Sequence, residues 1–379
     1  MTIDEIRLYH LSAKLPEPIG NAKIFFDRRE TLLVEIRAGS VSGWGETWAM
    51  PAAAASVIKS HLAGRLLGQN PCHIGRLWQE MRRAFETKSG LAMMAIAAVD
   101  MALHDLIARQ RGVPLSELLG GAQRDRVPTY ASGPFFKPGG HPYRDFSRDV
   151  ESYLRQGFHS IKLRSGYSPK DDAEAAIAVR QMIGNDAALM IDFNQAVTPR
   201  NAVATAELMR EARPLWIEEP AAPTDLEGYR TVSRQITTAV AGGETFASAS
   251  DYLPYLANGC MDVLQPDIAI CGGLSGVMEV CTLGDLYSRP VIPHVWGSIV
   301  NFQAALHLTA ALSPHKAGAP HAFPYLEFDV GPNPLLDLVG RPSVEAGGML
   351  SISGKPGLGV DIAREAIEPF VLTHESLVG

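Results

Sequence analysis

Three acidic residues recur at equal intervals, each closing a short apolar run: Asp192 in LMID, Glu218 in LWIE and Glu244 in AVAGGE. The step is 26 residues each time, the length that one strand, one loop and one helix of a βα unit consume. Such a repeat puts a carboxylate at the carboxyl end of each of three successive parallel strands, the catalytic face of a (β/α)8 barrel. Three carboxylates converging there repel one another unless a hard cation lies between them. Oxygen-only ligands with room left for water and substrate suit Mg2+.

The flanking sequence extends the pattern. Between residues 126 and 329, apolar runs alternate with helical stretches: VPTYASG (127–133), HSIKLRSG (159–166), ALMIDF (188–193), PLWIEE (214–219), AVAGGE (239–244), MDVLQPD (261–267), RPVIPH (289–294) and PYLEF (324–328). Eight such units predict an α/β, TIM-like (β/α)8 barrel rather than an open sheet. Residues 1–125 read as strands followed by helices: a strand over 3–11, a hairpin of 31–36 with 42–47, then helices over 52–62, 74–85 and 91–110. That order suggests a separate α+β capping domain. The 91–110 helix is apolar on nearly all sides and must be buried. The tail, 330–379, is loop-rich and supplies no barrel strand, so it is expected to pack back on the capping domain and complete it.

Composition excludes some classes. With 46% hydrophobic and 20% charged residues the chain reads as an ordinary soluble globular protein. It has no uninterrupted apolar run of roughly 18 residues, and MTIDEIRLYH lacks the order of a signal peptide. A cytoplasmic protein without a membrane partner is expected. A net charge of −7 without a basic block argues against nucleic acid. It permits a small anionic substrate, which local cations can steer. Cys72, Cys260, Cys271 and Cys281 show no CxxC spacing and read as reduced core thiols.

Two further strand ends are polar. Asp267 ends LQPD and His294 ends VIPH, one unit later. Neighbouring strand ends lie side by side, so Asp267 can fix the tautomer of His294 and raise its basicity. Lys162 and Arg164 sit two apart on one strand, and period-two geometry points both into the barrel mouth. Cations on one side, a metal at the centre and a His–Asp base opposite suit a substrate carboxylate whose α-proton is removed. A single acid at a strand end is commonly a cap or a salt-bridge partner, but three at matched spacing fit that account poorly. Glu46 reads as structural and His104 as a satisfied core histidine, while His307, His315 and His321 carry no ligand spacing.

The order KxR, D, E, E, D, H on successive strands resembles the enolase superfamily, in its mandelate racemase-like branch. The likeness spans nearly the whole chain, through GWGE at Glu46, AAVDMALHD, IKLR, IDFNQ, WIEEP, GGE, LQPD, CGGL and PHVWGS. FDRR (26–29), HVWG (294–297) and LEFD (326–329) look most like sugar-acid dehydratase and galactarolactone cycloisomerase-type members. The resemblance implies that Asp192, Glu218 and Glu244 hold Mg2+, that His294 is the general base and that Asp267 orients it. It implies that Glu327, ending the eighth strand, is an acid bonded to the substrate carboxylate, with Asn194 beside the substrate and Lys162 near the metal-bound carboxylate. It also implies closing loops over 15–28 and 48–53 that decide the substrate, and a homo-oligomer.

Arg164 departs from the pattern. Many members have lysine there as a second base, and arginine stays protonated. One-base chemistry therefore fits better: a lyase removes the α-proton of a sugar acid or its lactone and eliminates the β-substituent to give a 2-keto acid. Arg164 would then bind substrate oxygens through its fork. The alternatives are a racemase, epimerase or cycloisomerase of an α-substituted carboxylate, and an inactive binding homologue.

Overall fold

The computed structural model describes residues 1–86, 89–313 and 324–379; His315 and His321 lie outside the described residues. Its strands are β1 (Glu5–Gly20), β2 (Phe25–Ala38), β3 (Val41–Thr47), β4 (Arg126–Ser132), β5 (Ser160–Arg164), β6 (Leu189–Asp192), β7 (Trp216–Glu218), β8 (Ala239–Gly242), β9 (Val263–Leu264), β10 (Leu326–Asp329), β11 (Met349–Ser351) and β12 (Val371–Val378).

Alternating burial along β1 and β2 makes one face of an antiparallel sheet, in the order β12-β1-β2-β3. The buried face meets the helix Gly90–Arg111 at very short range. A Cβ on Gly45 would lie 1.9 Å from the Ala98 carbonyl oxygen, and one on Gly43 would lie 2.2 Å from the Leu106 nitrogen. Only glycine permits that approach, which accounts for the two glycines of GWGE. By length and composition this helix could cross a membrane, but 78% of its apolar window is buried inside the protein. Its acids tie neighbouring parts together. Asp100 accepts from the Ser275 backbone N–H (2.9 Å) and hydroxyl (2.6 Å), and Asp105 from the Trp44 and Leu358 N–H groups, both at 2.8 Å. His104 is satisfied through Asp100, its Nδ1 lying 2.8 Å from the carbonyl oxygen.

The second sheet is mostly parallel, in the order β10-β4-β5-β6-β7-β8-β9, with β11 antiparallel beside β4. The intervening helices begin on side-chain caps: Ser168, Thr198 and Asp225 accept from the Asp171, Asn201 and Gly228 N–H groups, and Pro169 and Pro199 open two of the helices. Cap plus proline is the combination that starts a helix from sequence alone. One face of the sheet packs Tyr130, Met190, Trp216, Ala241, Val263, Ile292 and Tyr325 together.

Three expectations need correction. The run 289–294 forms no strand of its own; it joins β9 through single bridges at Leu264–Val291 and Asp267–His294. Pro290 and Pro293 lack the N–H that a ladder needs. Among the described residues no ladder links that run to β10; the contact there is the Val295 N–H on Glu327 Oε2 at 3.2 Å. The 15–28 segment is not an irregular loop but the extended end of the β1–β2 hairpin, paired through Ile19–Phe26 and Gly20–Phe25. Leu15 and Ile19 bury there against Phe135, with Phe26 and Trp296 packed alongside. Finally, Cys72 is exposed, while the other three cysteines are buried.

Candidate active site

Parallel register sets the first row of the site. Arg164 lies beside Asp192, and Asp192 beside Glu218. Glu218 pairs with Ala241, not with Glu244. Equal spacing in sequence therefore does not give equal height: Glu244 stands three residues beyond the row, past the end of β8. Asn194 lies two residues past β6, with a left-handed φ of 45°. Asp267 and His294 follow β9 and its bridged partner run. Glu327 is the second residue of β10 rather than its end.

Lys162 is fully buried beneath this row. Its ammonium sits 2.7 Å from Glu218 Oε1, 2.7 Å from Glu327 Oε1 and 3.7 Å from Asp192 Oδ2. It is thus not at the mouth, as strand periodicity alone suggested, but in the floor. Arg164 pairs with Asp192 and donates to Ser132 Oγ at 2.9 Å. Asp192 also accepts from the Asn194 N–H (2.8 Å) and Nδ2 (3.0 Å). Glu218 Oε2 accepts from Trp216 Nε1 at 3.0 Å and Gln265 Nε2 at 2.7 Å.

The predicted dyad is formed. His294 Nδ1 donates to Asp267 Oδ2 at 2.7 Å, and its Nε2 lies 3.4 Å from Glu244 Oε2. Asp267 is held by three other donors: Trp48 Nε1 at 2.8 Å, the Ala269 N–H at 2.8 Å and Asn301 Nδ2 at 3.1 Å. A cavity of about 390 Å3 opens onto this group, walled by Arg164, Asn194, Glu244 and His294 from one side and by Asn21, Phe26, Arg29 and Trp48 from the other.

Carboxylates outnumber cations here: Asp192, Glu218, Glu219, Glu244, Asp267 and Glu327 share Lys162, Arg164 and His294. Burial and neighbouring acids push Glu218 up to about 7 against the pull of Lys162. Burial, then Glu244 and Asp192, push Glu219 well above the usual carboxylate range. Burial also raises Glu244, with His294 opposing. Burial works against a charged His294, but Glu244, Glu327 and Asp267 outweigh it and hold its pKa at about 10. Burial is likewise overcome at Glu327, which Lys162, His294 and Arg164 hold down at about 2.

This donor set fits a divalent cation. The ligands are hard oxygens, the negative charge is in excess, and Glu244 Oε2 is buried without a hydrogen-bond donor. Among the described residues no three such groups converge closely enough to hold an ion as they stand. Lys162 pairs with Glu218, and Arg164 with Asp192.

Residues 5–120 match the mandelate racemase / muconate lactonizing enzyme N-terminal domain, and residues 145–366 match the enolase C-terminal domain-like family. The chain belongs to the enolase superfamily, in its mandelate racemase-like branch. It is 34% identical to the D-galactarolactone cycloisomerase of Agrobacterium fabrum over 98% of this chain and 99% of that one. It superposes on the 3,6-anhydro-D-galactonate cycloisomerase of Zobellia galactanivorans with a TM-score of 0.87 at 31% identity, covering 98% and 100% of the two chains. The L-talarate/galactarate dehydratase of Salmonella typhimurium, liganded with Mg and L-lyxarohydroxamate, superposes with a TM-score of 0.86 at 26% identity, covering 100% and 94%.

In this enolase-superfamily chain the sequence reading missed several residues of the site. Glu219, the second acid of WIEEP, accepts from Gln195 Nε2 at 2.7 Å. Gln265 and Trp216 fix Glu218, and Trp48 reaches the dyad from the first sheet. The doubled acid of EEP and the amides of DFNQ and LQPD were available as signals; Trp48 lay in the expected 48–53 loop, but nothing local tied it to Asp267. Glu46, read as structural, is buried and spans both sheets' territories. It accepts from Thr31 Oγ1 (2.8 Å), the Ser298 N–H (2.6 Å) and the Asn301 N–H (2.9 Å), so it caps the helix Ile299–Ala311 that follows the dyad histidine.

Proposed function

We propose that this enzyme is a Mg2+-dependent lyase that takes the α-proton from a sugar acid or its lactone and expels the β-substituent. Asp192, Glu218 and Glu244 would hold the ion. When bound, it supplies positive charge that stabilises the charge developing on the substrate carboxylate. We also read the parallel sheet as a closed (β/α)8 barrel over 126–329, capped by 1–125, with 330–379 returning to the cap.

The observation that carries this reading is the presence of one usable base. His294 Nε2 faces the cavity while Asp267 holds Nδ1–H at 2.7 Å, so Nε2 would accept the proton leaving the substrate carbon once the charge of Glu244, which keeps the imidazole protonated in this arrangement, is engaged elsewhere. The imidazolium then gives that proton to the departing β-oxygen, and the resulting enol tautomerises to a 2-keto acid. Arg164 remains a guanidinium, and Lys162 remains an ammonium because Glu218 and Glu327 outweigh its burial. Neither is free to accept a proton from the opposite face, which disfavours racemisation. Glu327, held near 2 in this arrangement, is an anionic anchor for Lys162 rather than a proton donor until substrate enters.

On a lactone the same elimination breaks the ring C–O bond, so the product is an isomer; the 34% identity to a galactarolactone cycloisomerase favours keeping that outcome beside dehydration. Incubation of the Mg2+-loaded protein with a library of sugar acids and lactones tests the proposal. A 2-keto acid or ring-opened product is expected. Absence of turnover with the ion demonstrably bound would remove it.

A further inference from the structure

The three acids proposed to hold the ion are not braced alike. Asp192 accepts from the Asn194 N–H and side-chain amide, and Glu218 from Trp216 Nε1 and Gln265 Nε2. Glu244 has no such support among the described residues. Its Oε2 is buried without a hydrogen-bond donor, and His294 Nε2, its ionic partner, stands 3.4 Å away. A carboxylate that no donor orients takes its position from its backbone.

That backbone is held from behind. Glu244 lies just beyond β8, on a turn in which the Phe246 N–H donates to the Gly243 carbonyl at 3.0 Å. The same carbonyl accepts a second hydrogen bond, at 2.8 Å, from the hydroxyl of Tyr252 in the helix Ala249–Ala257. Tyr252 is fully buried. Its ring meets Phe246 edge to face, with centroids 4.8 Å apart, so it grips both ends of the turn. Gly243 has a φ of 105°, and a Cβ there would fall 2.3 Å from the Tyr252 ring. Only glycine lets the phenol come so close.

We infer that Tyr252 is the positioning residue for Glu244: its hydroxyl and ring fix the turn from Gly243 to Phe246, and with it the height at which the third carboxylate stands. The inference rests on the proposed function in one respect, since it takes Glu244 to be a ligand of the ion. Mg2+ demands near-ideal octahedral geometry, so a ligand held only by its backbone loses affinity when that backbone loosens. The base has separate supports, because Trp48 and Asn301 both donate to Asp267. Loosening the turn therefore weakens the hold on the ion and spares the chemistry once the ion is bound.

The test compares Tyr252→Phe with Tyr255→Phe in the full chain. Tyr255 lies on the same helix, packs its ring 5.2 Å from that of Phe246 and donates to the Pro223 carbonyl at 2.6 Å. Its variant loses an equivalent hydrogen bond away from the Gly243 carbonyl, and both variants keep their rings. Calorimetry with Mg2+ alone is expected to give a dissociation constant raised about three- to tenfold in Tyr252→Phe, the range for one lost hydrogen bond, and nearly unchanged in Tyr255→Phe. The Mg2+ concentration for half-maximal rate should rise by the same factor, with kcat at saturating Mg2+ close to wild type. Unchanged Mg2+ affinity in Tyr252→Phe, or equal weakening in both variants, overturns the inference. Glu244→Gln keeps the two readings apart, since weakened Mg2+ binding there upholds the ligand role independently of Tyr252. If Glu244→Gln binds Mg2+ as wild type does, the proposed ligand set falls, and hydrogen exchange of the Phe246 amide in metal-free protein decides on the turn alone. Faster exchange in Tyr252→Phe but not in Tyr255→Phe supports the clamp, and equal exchange overturns it.

Discussion

Trp48 and His294 converge on one oxygen: Asp267 Oδ2 accepts from Trp48 Nε1 at 2.8 Å and from His294 Nδ1 at 2.7 Å. The tryptophan follows β3 of the first sheet, whereas the aspartate and histidine follow strands of the second. The orientation of His294 through Asp267 is therefore shared with a side chain that follows the first sheet.

Replacing Trp48 with phenylalanine keeps the ring and removes the donor. A hydrogen bond to a charged acceptor contributes roughly 1.5–3 kcal/mol, so kcat is expected to fall by about 10- to 100-fold with little change in folding. Steady-state kinetics beside a thermal melt checks this. A kcat within twofold of wild type would show that Asp267 does not need the indole.

His294→Asn is expected to lower kcat by about 100- to 10,000-fold, the range for loss of a general base. Because His294 Nε2 lies 3.4 Å from Glu244 Oε2, its removal takes a positive charge away from that carboxylate, and Mg2+ affinity should hold or rise slightly. Weaker Mg2+ binding by calorimetry would mean that the histidine is itself a ligand.

With the proposed ligands, metal and protons would compete for the same oxygens. Glu218 is pushed up to about 7 by burial, above its unfolded value, so its contribution to stability declines as pH rises from about 4.5 through 7. His294, held at about 10, stabilises the fold fully below about 6.5 and loses that contribution as pH rises through 10. Mg2+ should bind more tightly at pH 8 than at pH 6, since Glu218 and Glu244 must lose protons first. It should also draw the His294 pKa downward by sharing the charge of Glu244. Imidazole proton shifts recorded with and without Mg2+ measure that change, and identical titration curves would contradict it.

Glu46→Ala leaves the Ser298 and Asn301 N–H groups and the Thr31 hydroxyl without their acceptor. A loss on the order of 2–3 kcal/mol is expected, read by denaturant unfolding. KM should rise as well, because Ser298 lies four residues after His294 on the same rim. Full stability in that variant would make the helix cap unimportant.

Much of the site was legible because its residues end strands. Asp192, Glu218, Asp267 and His294 each follow an apolar run, and strand periodicity put Lys162 and Arg164 on one face. Height along the strands of the sheet was not legible, since it depends on register: Glu218 pairs with Ala241, which lifts Glu244 above its neighbours. The partners of Lys162 were hidden for the same reason, because a four-carbon stem reaches whichever carboxylates the register brings near. Prolines misled the reading of 289–294, where an apolar run signalled a strand and Pro290 and Pro293 removed its donors. Trp48 fell in the expected 48–53 loop and Arg29 in FDRR, but the partners of both were not legible, because each acts across a contact between sheets that no local pattern encodes.

The outer neighbour of β1 is β12, paired from Glu5 with Val378 to Leu11 with Val371. On the ribosome, then, the strand whose far end roofs the pocket waits with an open edge until residues 371–378 have been translated. A nascent chain stalled before that point would carry a long unpaired strand, the kind of surface that recruits other chains. Mutations in this C-terminal strand, far from any reacting atom, should therefore show first as poor yield of folded protein in the cell rather than as altered kinetics.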